Sequence, residues 1–240
     1  MISFHSNRYR LFHRNLFVGE KLKYYERINE AHTSGGRVWS FIFDAMSKFR
    51  TRLPVLSNLA QMSQQFDNNV MGCIFHNEKR TQLYISGPSV RSGVSYMIHC
   101  VHSEIKRCID AKLPLPEKIY LQIDGASDNT GYAVMAALEH LVAAGLCTVI
   151  EVWRLPVGHT HEDIDGRFGV LSMHIREQSI ETPQKFFAEA KDAFVGDCEY
   201  TYVAAIFDYK GFYDPLVDPL LSVQKKEHTQ LGFRIEVSNT

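Results

Sequence analysis

Three short apolar runs constrain this chain more than any other feature: VWSFIFDAM (38–46), KIYLQID (118–124) and CTVIEVWRL (147–155). Each is continuous rather than alternating. That pattern suits a strand buried on both faces, which needs helices above and below it. Between the first two runs, NVMGCIF (69–75) and TQLYISG (81–87) read as an antiparallel hairpin turned at 76–80. Val94, Ile98, Val101, Ile105 and Cys108 form the apolar stripe of a helix over 91–111, stopped by Pro114 and Pro116. Met135, Leu138, Leu141 and Val142 mark another over 130–144, with Gly145 as its C-cap. A helix from Thr160 carries Ile164, Phe168, Leu171 and Ile175 on one face. The order strand, hairpin, helix, strand, helix, strand, helix predicts an α/β domain. Its sheet would be mixed and five-stranded, an antiparallel hairpin plus parallel strands, with helices on both faces.

The flanks read less clearly. Residues 14–32 predict an amphipathic helix with Leu16, Leu22, Tyr25 and Ile28 on its apolar side, ended by Ser34-Gly35-Gly36. Residues 47–69 are polar, contain Pro54 and read as a loop. A helix over 183–194 and a strand over 202–209 (YVAAIFDY) are expected, and the Pro/Asp-rich remainder receives no assignment. The expected organisation is an N-terminal helical segment (1–36), the main domain (37–195) and a C-terminal extension (196–240). MISFHSNRYRLFHRNL has no cap and no signal-peptide core, which suggests a fragment or truncated product of a longer protein.

Composition bounds the function. With 45% apolar and 22% charged residues, a 240-residue chain buries a sizeable core. No apolar stretch approaches the length of a membrane span. The five cysteines, Cys73, Cys100, Cys108, Cys147 and Cys198, are odd in number and lack a CxxC pair. They read as buried thiols in a reducing compartment, nuclear or cytoplasmic. No small-molecule organic cofactor is expected. A net charge of −1 argues against a generally basic DNA-binding surface. Residues 1–52 nevertheless hold ten Lys or Arg against four Asp or Glu, read as a solvated helix face or a basic patch.

The acidic residues carry the chemistry. Asp44 and Asp124 close two buried strands, and sites in open α/β sheets form beyond the carboxyl ends of strands. A carboxylate there is costly unless it is paired or bound to a cation. The segment GHTHEDID (158–165) crowds three acids and two histidines into eight residues. On a helix His161 and Asp165 share a face, Glu162 and Asp165 are neighbours, and Asp163 turns elsewhere toward a cap with Thr160. Asp44, Asp124 and Asp165 suit Mg²⁺ or Mn²⁺. Two such ions about 4 Å apart activate an attacking oxygen and stabilise the leaving one at a phosphodiester. His159 or His161 would orient the nucleophile, move a proton or act as a ligand. Either also fits a backbone-bonded histidine in a turn. Asn129 fits a support for Asp124 or a helix N-cap. Glu162 competes with Asp165 for the third acidic place.

This layout resembles the ribonuclease-H-like catalytic domain of DDE/DDD transposases and integrases. There the first acid ends the first strand, the second ends or follows the fourth, and the third lies on a helix after the fifth. More closely, LQIDGASDN and LPVGHTHEDIDGRFGVLS resemble a eukaryotic transposon-derived family with a "LPVGHTHEDID…F" block, over roughly residues 37–195. The resemblance implies magnesium-dependent cleavage and strand transfer of DNA, with transposon ends and target as partners and self-association possible. The sequence departs from a complete transposase in lacking a zinc finger or helix-turn-helix. Two other readings use part of the pattern. One is a domesticated, inactive scaffold that binds protein or nucleic acid through the basic N-terminal segment. The other is a calcineurin-like metallophosphoesterase, suggested by GHTH alone; Asp44 is followed by Ala45-Met46 and no Gly-Asn-His occurs.

Overall fold

Strand β1 (Val38–Ala45) organises the molecule, because its alternating side chains meet two different helical layers. Trp39, Phe41 and Phe43 enter one buried cluster. Ile42 enters a second on the opposite face. The computed structural model describes residues 3–55, 65–123, 131–154, 163–194, 196, 198–216 and 232–236.

Helix α1 (Ser3–Thr33) precedes β1. After β1 come a short helix α2 (Lys48–Thr51) and a small two-stranded ribbon of β2 (Arg52–Leu53) and β3 (Phe66–Asp67). The expected hairpin follows as β4 (Asn69–Phe75) and β5 (Arg80–Ser86). Then come α3 (Val94–Asp110), β6 (Lys118–Ile123), α4 (Tyr132–Ala143), β7 (Val149–Trp153), α5 (Asp163–Arg176) and α6 (Pro183–Asp192). Strand β8 (Cys198–Tyr202), helix α7 (Tyr209–Tyr213) and strand β9 (Gly232–Glu236) complete the described elements.

The main sheet has seven strands in the order β8-β5-β4-β1-β6-β7-β9. Its inner five, β5-β4-β1-β6-β7, stand in the ribonuclease-H-like order: β1 pairs antiparallel with β4 and parallel with β6, and β6 pairs parallel with β7. The five-strand expectation therefore describes the centre, and β8 and β9 extend it on both sides. Since β5 is antiparallel to β4 and parallel to β8, the strands β1, β5, β6, β7 and β8 all run the same way. Their carboxyl ends form one edge.

Helices α3 and α4 cover the Trp39–Phe41–Phe43 face, and Tyr213 of α7 joins their cluster. Helices α5 and α6 cover the Ile42 face through Ile164, Phe168, Leu171, Ile175 and Phe186. Burying each such side chain stabilises by roughly 1.5–3 kcal/mol. The α5 stripe is the one expected from the sequence. Gly145 (φ 71°) closes α4, with its N–H and that of Leu146 donating to the Val142 and Leu141 carbonyls at 3.0 and 3.1 Å. All five cysteines are free thiols, four of them buried.

Three sequence expectations need correction. Helix α1 starts at Ser3, and its inward side is Glu20, Tyr24 and Ala31, whereas Leu22 and Tyr25 are exposed; the Leu16 side chain lies outside the described residues. A phenol bonded to buried polar groups sets the rotation of α1, overriding the apolar period. Residues 47–69 hold α2, β2 and β3 besides an undescribed stretch. The strand expected over 202–209 is instead Cys198–Tyr202, and a further strand, Gly232–Glu236, lies in the unassigned tail. Val203 makes one further bond to the sheet, its N–H donating to Ile85 O at 2.8 Å, and Ile206 then packs on the α3 face. An apolar run cannot reveal that it packs instead of pairing.

Candidate metal centre

On the α5 face of β1 the side chains run Val38, Ser40, Ile42, Asp44 toward the carboxyl edge. Val38 packs with Ala31 of α1 and Tyr120 of β6. Ser40 meets His76, Ile42 meets the α5 cluster, and Asp44 stands half-buried at the end of the row. The Ala45 N–H donates to Asp44 Oδ1 at 2.8 Å.

Helix α5 is seated directly beside this position. Gly72 is the cross-strand partner of Asp44. A Cβ at Gly72 would fall 2.6 Å from Ile164 Cδ1 and 3.0 Å from Phe168 Cε1. The missing side chain therefore lets the first turn of α5 lie against the sheet next to Asp44. Asp165 follows Ile164 and is half-buried.

The neighbouring acid fixes the rotation of the helix. Tyr24 of α1 donates to Asp163 Oδ2 at 3.0 Å. Its oxygen also lies 3.0 Å from His76 Nε2, and Ser40 Oγ lies 2.9 Å from His76 Nδ1. A carboxylate only accepts, so the Tyr24 proton goes to Asp163, His76 Nε2–H donates to the phenol oxygen, and the Ser40 hydroxyl donates to Nδ1. Burial pushes the His76 imidazole down to about 4, partly opposed by Asp163. Two residues along a helix are turned by about 200°. With Asp163 held toward α1, Asp165 lies on the opposite flank of α5.

Asp44 and the first turn of α5, which carries Asp165, thus share one sheet face. Asp124 follows β6, whose Gln122 is the register partner of Ile42. Asp124 itself, with Asn129, His159, His161 and Glu162, lies outside the described residues, as does Thr160 of the expected cap. Among the described residues no group of three or more His, Cys, Asp or Glu side chains is placed to hold a metal ion. Sequence reasoning missed the roles of Tyr24, His76 and Gly72. A buried tyrosine–histidine–serine chain spans distant segments and leaves no local motif.

Other charged clusters have structural partners. Buried Glu104 accepts from Tyr84 O–H at 2.6 Å and pairs with Arg80 and Arg107 on the α3 face, away from Asp44. A cleft of about 640 Å³ between α1 and α5, lined by His32, Lys79, Asp163 and Arg167, opens at the amino edge of β5. Among the described residues no helix is long and apolar enough to cross a membrane.

Comparison with known sequences then decides the family. The profile of DUF7869, a domain of unknown function, matches residues 58–239. The chain belongs to the DUF7869 family. The match spans β3 through β9 and includes the GHTHEDID segment. No curated protein matches the chain. Among solved structures, the human cytomegalovirus terminase nuclease domain is similar over 81% of this chain and 77% of its own, at 9% identity and a TM-score of 0.27. A structure of NurA bound to dAMP and manganese is similar over 100% of this chain and 59% of its own, at 13% identity and a TM-score of 0.18. Both likenesses are too loose to bear on function.

Proposed function

We propose that this DUF7869 domain is a divalent-metal-dependent nuclease of the transposase type, cleaving DNA phosphodiesters at the carboxyl edge of its sheet. One observation carries the reading. Gly72, opposite Asp44, admits the first turn of α5, which carries Asp165 on the flank away from the Tyr24–Asp163 bond. Asp44 and Asp165 bring hard oxygen donors to the place where ligands of open α/β sheets bind, and Asp124 is assigned as the third. These donors fit Mg²⁺ or Mn²⁺ better than a thiolate-seeking metal.

When bound, the ions supply charge neutralisation and an activated oxygen nucleophile. The chain's own task is to hold the carboxylates rigidly while a phosphodiester enters from the edge. Asp165 is assigned as the acid contributed by the helix, ahead of Glu162. His159 and His161 are assigned to orienting the attacking oxygen or moving its proton, and Asn129 to supporting Asp124. DNA is the proposed partner, with transposon ends and target as its source if strand transfer is retained.

The test is Mg²⁺- or Mn²⁺-dependent nicking of supercoiled DNA. Asp44→Asn, Asp124→Asn and Asp165→Asn are each expected to lower the rate by at least about 10²-fold, in line with a lost electrostatic stabiliser, with unchanged circular dichroism. Nicking that persists in all three variants rejects the assignment.

A further inference from the structure

The carboxyl edge has a second opening. Segments that follow β5 and β8 enclose a pocket of about 550 Å³ lined by Ser89, Arg91, Ser92, Ser95, Phe207 and Lys210, among others. Strands β5 and β8 run in the direction of β1, so this pocket stands at the edge that carries Asp44, on its α3 side. Two strand steps separate β5 from β1. At ordinary spacing that is about 10 Å.

The lining is unusual in what it leaves unused. Arg91, Ser89 and Ser92 are exposed, and among the described residues Arg91 has no ion pair or hydrogen bond. The other charged side chains have partners, a cation–carboxylate pair for Lys210 and neutral donors for Asp208. Asp208 accepts from Gly211 N–H at 3.0 Å and from Ser95 O–H at 3.4 Å. Lys210 Nζ pairs with Asp214. Arg91 is therefore the cation of the pocket that has no ion pair among the described residues, and Asp208 is a carboxylate of the same lining held by neutral donors alone. Beside it, Phe207 is 57% exposed. Its ring is braced by Tyr209 and Phe212 at centroid distances of 5.2 and 5.9 Å. A braced, exposed aromatic next to an unpaired guanidinium and hydroxyls matches the composition that holds a base and its phosphate.

We propose that this pocket binds one nucleotide of a single-stranded nucleic acid, with the phosphate on Arg91 and the serine hydroxyls and the base against Phe207. The strand then passes over the sheet edge toward Asp44. The choice of a nucleic acid rather than another anion rests on the nuclease reading. The cleft bearing Lys79 and Arg167 lies at the opposite edge and is the natural comparison.

The experiment is fluorescence anisotropy with a short labelled oligothymidylate and the full chain, in chelator, so that cleavage plays no part. Wild type binds. Arg91→Glu and Phe207→Ala each weaken binding about tenfold or more, as expected for one lost phosphate contact or one lost stacking platform. Arg91→Glu also lowers the salt slope by about one. Lys79→Glu leaves affinity within about twofold, a margin of less than 0.5 kcal/mol. Both affected side chains are exposed, and matched thermal melts verify that each variant folds. The proposal is overturned if wild type does not bind, if Arg91→Glu and Phe207→Ala bind like wild type, or if the loss follows Lys79→Glu instead. Failure of nicking leaves this result untouched, so the two readings fall separately.

Discussion

A few single residues decide where the candidate acids stand. Gly72 is needed for close approach: its absent side chain makes room for Ile164 beside Asp44. Gly72→Ala is expected to cost about 1–3 kcal/mol by overpacking, read from the denaturation midpoint. An unchanged midpoint would mean α5 is not seated as described. His76 gives a pH dependence whose sign follows from its burial. Folded, it stays neutral down to about pH 4, whereas its ordinary value is 6.5. Between these values the unfolded chain binds more protons. Stability is therefore full above about 6.5, falls as pH drops toward about 4, and levels off below. His102 is lowered to about 4 as well, by burial and then by His140 and His99, and acts in the same direction. Urea midpoints across that window check the prediction; a flat profile contradicts it.

At the scale of elements, helices α5 and α1 were not equally legible. The α5 stripe is periodic and fully apolar, and the sequence alone places it. Phe168→Ala is expected to cost about 3–5 kcal/mol. Helix α1 misled, because its inward anchor is the Tyr24 phenol and the Leu22 of its expected apolar side is 59% exposed. Leu22→Lys is expected to change stability by less than about 0.5 kcal/mol, and a large loss would restore the apolar-stripe reading. The central strands were legible because both their faces are buried, which forces continuous apolar runs. Strand β8 (CEYTY) hid because it alternates half-buried and exposed side chains at the flank of the sheet. The VAAIF run after it looked like a strand because packing and pairing favour the same residue types.

For the whole molecule, topology supplies what the acidic motif alone could not. The sequence marked Asp44 as a strand-end acid and GHTHEDID as a crowded turn. It did not say that Asp44 faces α5, or that Asp163 and Asp165 divide between two flanks. Those facts come from the register of β1 with β4 and from the bond between α1 and α5. The account thus stands on Asp44 and Asp165 belonging to one centre. Anomalous diffraction from crystals soaked in Mn²⁺ measures this directly. The expected result is a manganese site, or a pair about 4 Å apart, with carboxylate oxygens of both Asp44 and Asp165 within about 2.5 Å of the ions. Manganese bound to one aspartate without the other, or absent from the carboxyl edge at saturating concentration, would contradict it.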